Sequence, residues 1–104
     1  MTDPFSIVII CKDAAATIEH TLKSIEGMST DVVVYDNGST DGTLKLIQQF
    51  DVHLYTGAWL GFGPTRQKAV GFAKNDWILF VDADEEVTPA LRQEILQQQP
   101  ANEK

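Results

Sequence analysis

The chain has 104 residues, enough for one domain that buries about two thirds of its unfolded surface. Hydrophobic residues make up 43% and charged residues 22%, which excludes a mainly disordered chain. Eight basic against fifteen acidic side chains leave a net charge of −7, which argues against a nonspecific nucleic-acid partner but not against a nucleotide held through a metal ion.

Residues 5–11, FSIVIIC, are apolar, short and β-branched, and predict a buried strand. A helical pattern follows over 14–25, with Ile18, Leu22 and Ile25 on one face and Gly27 as its stop. Residues 31–35, DVVVY, predict a second strand. The turn Asp36-Asn37-Gly38-Ser39 leads to a helix over 41–50, with Ser39 or Thr40 as N-cap and Leu44, Ile47 and Phe50 inward. A short strand is expected over 52–55. Residues 57–64, GAWLGFGP, read as a loop, and 65–74 as a helix with Ala69, Val70, Phe72 and Ala73 inward. WILFV at 77–81 predicts a fourth strand, with Trp77 in the core. Thr88-Pro89 then open a helix carrying Leu91, Ile95 and Leu96. The domain is expected over 1–96, followed by a flexible polar tail over 97–104.

Continuous apolar strands alternating with amphipathic helices imply an α/β fold, a Rossmann-like parallel sheet with helices on both faces. Ligands of such sheets sit beyond the carboxyl ends of the strands. Cys11-Lys12-Asp13, Asp36-Asn37 and Asp82-Ala83-Asp84-Glu85 all fall there. Clustered carboxylates raise one another's pKa unless a cation lies among them, and a hard divalent ion shared with phosphates resolves the conflict.

Each motif has a plainer alternative. The D-A-D-E run reads either as carboxylates for a ribose and a metal or as an acidic turn before a helix, with Glu85 and Glu86 as capping charges. Turn chemistry accounts well for residues 37–43 and less well for Asp36, which can accept from a nucleobase or a ribose. Arg66 is expected in the first turn of its helix, where the dipole disfavours a cation, so it reads either as a phosphate or base partner or as a solvated side chain. The glycines of 57–63 match neither a phosphate loop nor a dinucleotide fingerprint. His20 and His53 have no metal-ligand spacing and read as structural. Cys11 reads as a small buried residue. Trp59 and Phe62 either stack on a ligand or cover the sheet edge.

Taken together, the stretches 5–25, 32–43 and 61–88 resemble the N-terminal, nucleotide-sugar-binding half of family 2 inverting glycosyltransferases of the GT-A fold. The look is nearest to lipopolysaccharide core glucosyltransferases. The resemblance implies that Asp36 reads the base or ribose with Asn37 beside it, and that Arg66 lies near the base and phosphates. Asp82 and Asp84 match the D-x-D motif. Asp84 is then the better ligand of Mg²⁺ or Mn²⁺, and Asp82 the contact to ribose or to metal-bound water. The first strand ends in Cys11-Lys12-Asp13 where the family commonly has Thr-Lys-Asn or Thr-Tyr-Asn, which puts Cys11 at the nucleotide.

The implied partner is a nucleotide-diphosphate sugar, a UDP-sugar, used in cell-envelope polysaccharide synthesis. Peripheral contact with the inner membrane face goes with that role. The family's general base comes from a segment well beyond the D-x-D strand, and this sequence ends twenty residues after Asp84, so a truncated donor-binding module is expected. The rival is a noncatalytic docking module whose uncovered apolar surface makes a homo-oligomer. A phosphoacceptor receiver domain needs acidic residues where this chain has only Asp13 and His53, and is set aside. One cysteine, no bilayer-length apolar run and no signal-like N-terminus make the cytoplasm the expected location.

Overall fold

A computed structural model describes residues 5–97. The elements run β1 (Ser6–Cys11), α1 (Ile18–Ser24), β2 (Val32–Asp36), α2 (Thr43–Ile47), β3 (His53–Thr56), α3 (Phe62–Val70), β4 (Ile78–Phe80) and α4 (Pro89–Gln97). The four strands form one parallel sheet in the order β3-β2-β1-β4. The chain first steps outward from β1 to β2 to β3. The crossover through α3 then carries it back to the far side of β1. The direction of winding therefore reverses between β1 and β4, and that is where such sheets open a ligand crevice.

Strand alternation divides the core in two. Ile7, Ile9 and Cys11 of β1 and Val32 and Val34 of β2 face a layer built from Ile18, Leu22 and Ile25 of α1 and Ile47 of α2, with Ile95 and Leu96 of α4 packed against it. Val8, Val33 and Tyr35 face the other way, onto Ala69 of α3, with Phe72 and Phe80 at the margin. Helices cover both faces, but the second face has α3 alone. At the amino edge Asp31 ties the sheet together: its Oδ2 accepts from the Ser6 hydroxyl at 2.5 Å and from the Lys74 amide at 2.7 Å. His53 sits there too, with Nε2 3.8 Å from Asp31 Oδ1.

Several expected details differ. α1 starts at Ile18 rather than near Ala14; the turn before it is tied to the neighbouring loop, the amides of Ala14 and Ala15 donating to Thr43 Oγ1 and Asp41 Oδ2. α2 begins at Thr43 after Gly42, with no side-chain cap; Ser39 and Thr40 bond elsewhere, as described below. Leu46, not Leu44, joins Ile47 and Phe50 at the core. α3 begins at Phe62, three residues early. Gly63 and Pro64 fit its first turn, where amides have no intrahelical partner to lose. Arg66 is thereby the fifth helical residue, beyond the first turn in which the dipole would disfavour its charge. Trp77 is 62% exposed, because it precedes β4 at the sheet edge instead of entering the core. Thr88 caps α4 as expected, accepting from the Leu91 amide at 3.1 Å. Gln97 ends α4 and so belongs to the helix; residues 98–104 of the expected tail lie outside the described residues.

Candidate functional site

β1 and β2 deliver Cys11 and Asp36 side by side, paired in register at the carboxyl edge. Asp36 is fully buried, at 0% exposure. Its Oδ1 accepts from the Ser39 hydroxyl at 2.5 Å and the Cys11 thiol at 3.4 Å. Its Oδ2 accepts from the amides of Gly38 and Ser39 at 2.9 and 2.8 Å. A carboxylate has about four acceptor sites, and all four are in use. Burial alone would raise the Asp36 pKa, but the Ser39 hydroxyl and amide, the Gly38 amide and the Cys11 thiol outweigh it and hold the carboxyl below its ordinary value. Asp36 thus builds the β2–α2 turn, and Asn37 is the group this turn presents.

The same turn locks onto the β1–α1 loop. Ser39 Oγ also accepts from the Asp13 amide at 2.7 Å, and Asp13 Oδ1 accepts from the Thr40 amide at 2.7 Å. Asp13 adopts φ +51 to do so, the left-handed region that aspartate enters more readily than most residues. Asp41 accepts from the Thr43 hydroxyl and from the amides of Thr43 and Ala15. Its carboxyl is held below the ordinary value, chiefly by the Thr43 hydroxyl. The cross-links between the two loops join residues 26 or 27 positions apart and leave no local signal in the sequence.

Burial, with the Asp36 charge next, pushes the Cys11 thiol far above its ordinary pKa. Cys11 is therefore a weak hydrogen-bond donor under the loop and not a nucleophile. Iodoacetamide at pH 8 is expected to alkylate the folded chain at least about tenfold more slowly than the urea-unfolded chain, read by mass spectrometry.

At β4 the chain leaves the sheet through Val81, whose amide still pairs with the Val8 carbonyl at 3.1 Å. The next carbonyl but one, that of Ala83, accepts from both Thr17 and Thr21 hydroxyls at 3.0 and 2.9 Å, and its methyl packs on the core. Anchoring the central residue leaves the flanking Asp82 and Asp84 exposed. Neither carboxylate has a hydrogen-bond or cationic partner among the described residues. Glu85 is used locally, accepting from the Asp82 amide at 3.2 Å.

Two cavities lie along this edge. One, of about 140 Å³, occupies the β1/β4 crevice and is lined by Ile10, Trp59, Phe62, Arg66, Phe80 and Asp82. The other, of about 360 Å³, is lined by Ile10, Cys11, Lys12, Asn37 and Trp59. The Arg66 guanidinium lies 4.6 Å from the centre of the Phe80 ring and has no ion pair among the described residues. Lys12 is likewise exposed and unpaired there. The expected residues are thus distributed as follows: Arg66 and Asp82 share the first cavity, Cys11 and Asn37 the second, Asp36 lies beneath without lining either, and Asp84 stands outside both. Lys12, which the sequence places at this edge without a binding role, lines the second cavity as well. A third cavity, of about 220 Å³ around Leu22, Gly27 and Phe50, contains none of these residues.

Among the described residues no three His, Cys, Asp or Glu side chains come close enough to form a metal cage. The donor set on offer is two unpartnered carboxylates, hard oxygen ligands suited to Mg²⁺ or Mn²⁺. A phosphate-borne magnesium needs only one or two of these.

The sequence model described as "Glycosyl transferase family 2" matches residues 6–104. The chain belongs to this family. A glycosyltransferase of Rickettsia bellii is 37% identical over 95 residues, covering 91% of this chain and 32% of that protein. The lipopolysaccharide core biosynthesis glycosyltransferase LpsC of Rhizobium meliloti is 32% identical, covering 86% of this chain and 35% of its own length. The chain therefore spans about a third of the relatives it matches. Among solved structures, TarS of S. aureus superposes with a TM-score of 0.71 at 25% identity, over 85% of this chain and 17% of TarS. Glucosyl-3-phosphoglycerate synthase of Mycobacterium tuberculosis, solved with Mn²⁺, UDP and glucosyl-3-phosphoglycerate, superposes at 0.66 with 22% identity, over 76% of this chain and 33% of that one. The sheet described above is the corresponding portion of the GT-A glycosyltransferase fold of these solved structures.

Proposed function

We propose that this chain is the donor-binding portion of a glycosyltransferase. It binds a nucleotide-diphosphate sugar, a UDP-sugar, for inverting transfer to an acceptor hydroxyl in cell-envelope polysaccharide synthesis. The observation that carries the reading is the β1/β4 crevice, where the unpaired Arg66 lines one groove with the unpartnered Asp82, and the unpartnered Asp84 follows two residues on, outside the groove. An anionic ligand bearing a divalent cation satisfies both signs at once. Family membership and the likeness to LpsC support the reaction class and the envelope role.

Arg66 offers its N–H donors to phosphate or base while Phe80 holds the guanidinium plane. Lys12 adds a second positive charge along the same edge. One side-chain N–H of Asn37 donates to the Gly57 carbonyl at 3.2 Å, and its Oδ1, which accepts no hydrogen bond among the described residues, is available to a base N–H or a ribose hydroxyl. Asp84, with Asp82, would hold Mg²⁺ or Mn²⁺. The ion, when bound, neutralises the diphosphate leaving group. We place the reaction on the cytoplasmic side, with the protein touching the inner membrane face peripherally.

Calorimetric titration with UDP, with and without Mn²⁺, tests the reading. Arg66→Ala is expected to weaken UDP by about 10- to 150-fold, the value of a charge-assisted hydrogen bond. Asp84→Ala is expected to remove the dependence on Mn²⁺. Unchanged UDP affinity in Arg66→Ala, or an undiminished Mn²⁺ effect in Asp84→Ala, contradicts the corresponding role. Leu60 and Phe62, 51% and 78% exposed beside the crevice, favour a second reading in which this face docks another copy of the chain. Sedimentation at several concentrations separates the two: a tight oligomer that ignores UDP supports docking.

A further inference from the structure

Trp59 is the one aromatic side chain common to both cavities. It borders Arg66 and Asp82 in the first and Cys11, Lys12 and Asn37 in the second. Its side chain is 48% exposed, a large apolar ring left in water at the centre of a polar edge. The segment that carries it is anchored. The Leu60 amide donates to the buried Thr65 hydroxyl at 2.8 Å, and the Thr65 amide returns to the Gly61 carbonyl at 3.1 Å. Gly61 makes the bend with φ +98, a conformation glycine adopts freely. Phe62 meets the indole edge to face, with ring centres 5.0 Å apart and planes at 87°. In that geometry Phe62 covers at most one face of the indole, and about half of the residue's surface remains in solvent.

We propose that Trp59 is the stacking platform for the nucleobase of the donor; this rests on the nucleotide-sugar reading above. A flat, anchored and partly exposed ring binds a base face at little entropic cost, because it is already ordered when the ligand arrives. A base on the indole lies between the Asn37 acceptor and the Arg66 guanidinium. The diphosphate is then directed toward Asp82 and the loop that follows it. Stacking is tolerant of base identity, so Trp59 supplies affinity, while Asn37 and Arg66 select among bases.

The chain contains two tryptophans, Trp59 and Trp77, so Trp77→Phe leaves Trp59 as the only indole reporter. UDP and uridine are expected to quench its fluorescence, and inorganic pyrophosphate is expected to leave it unchanged. By calorimetry, Trp59→Ala should weaken UDP by about 5- to 150-fold and leave pyrophosphate affinity alone, while Trp59→Phe keeps most of the UDP affinity. Parent protein that binds UDP as tightly as Trp59→Ala, with no fluorescence change in Trp77→Phe, overturns the platform and leaves the donor-binding reading standing. Parent protein that binds no UDP overturns both.

Discussion

Replacing Asp36 by alanine is expected to lower the stability of the folded chain by about 2–4 kcal/mol in urea unfolding. The residue reads as a ligand contact from its place at a strand end. In the structure it is buried, and all of its acceptor sites are filled by Ser39, Gly38 and Cys11. Alanine strips those donors of their acceptor and leaves a void between β1 and β2. Water can reach Gly38 and part of Ser39, which keeps the loss below the sum of four buried bonds. Asp36→Asn keeps the shape but turns one acceptor into a donor facing other donors, so it is expected to be destabilising too.

The sign of the pH effect follows from the depressed carboxyl pKa. A group whose folded pKa lies below its unfolded value, about 4 for aspartate, stabilises the fold above that pH. The contribution is lost as pH falls from about 4 through the folded value. Asp36→Asn should therefore flatten the acid limb of the stability profile. A variant that loses UDP binding while its urea midpoint and acid limb match the parent would show instead that Asp36 serves the ligand and not the turn.

The contrast between Asp36 and Asp82 shows what a sequence can carry. Apolar β-branched runs end in polar residues, and that is enough to place the strand ends and the edge where chemistry collects. Ile7, Ile9, Val32 and Val34 are one layer of the core because of alternation alone. Whether a carboxylate at that edge faces inward or outward depends on partners distant in the chain. Asp36 is claimed by a turn that must also hold Asp13, and Asp82 is freed because Thr17 and Thr21 grip the carbonyl beside it. None of these pairings leaves a periodic trace. The early start of α3 was hidden for a local reason. Gly63 and Pro64 signal a loop in most contexts, yet both are compatible with the first turn of a helix, and that turn places Arg66 over Phe80.

Gly57 is where the β3–α3 loop is most sensitive to a single methyl group. A Cβ at this position would lie 2.1 Å from the Tyr35 hydroxyl oxygen and 2.8 Å from the ring carbon that bears it. Tyr35 has no room to retreat: it is fully buried between Val8, Val33 and Ala69. Gly57 is itself fixed, its amide donating to the Asp36 carbonyl at 2.9 Å and its carbonyl accepting from Asn37. Gly57→Ala is therefore expected to cost about 1–3 kcal/mol through overpacking, and to displace the loop that presents Trp59. The Tyr35 hydroxyl makes no hydrogen bond in its buried position. Tyr35→Phe thus removes an unsatisfied polar atom along with the nearer clash, and should be neutral or slightly stabilising. In the double variant part of the Gly57→Ala loss should return, because the ring carbon still crowds the new methyl. A double-mutant cycle in urea measures that coupling, and strictly additive effects would mean that the tyrosine hydroxyl is not what excludes a side chain at residue 57.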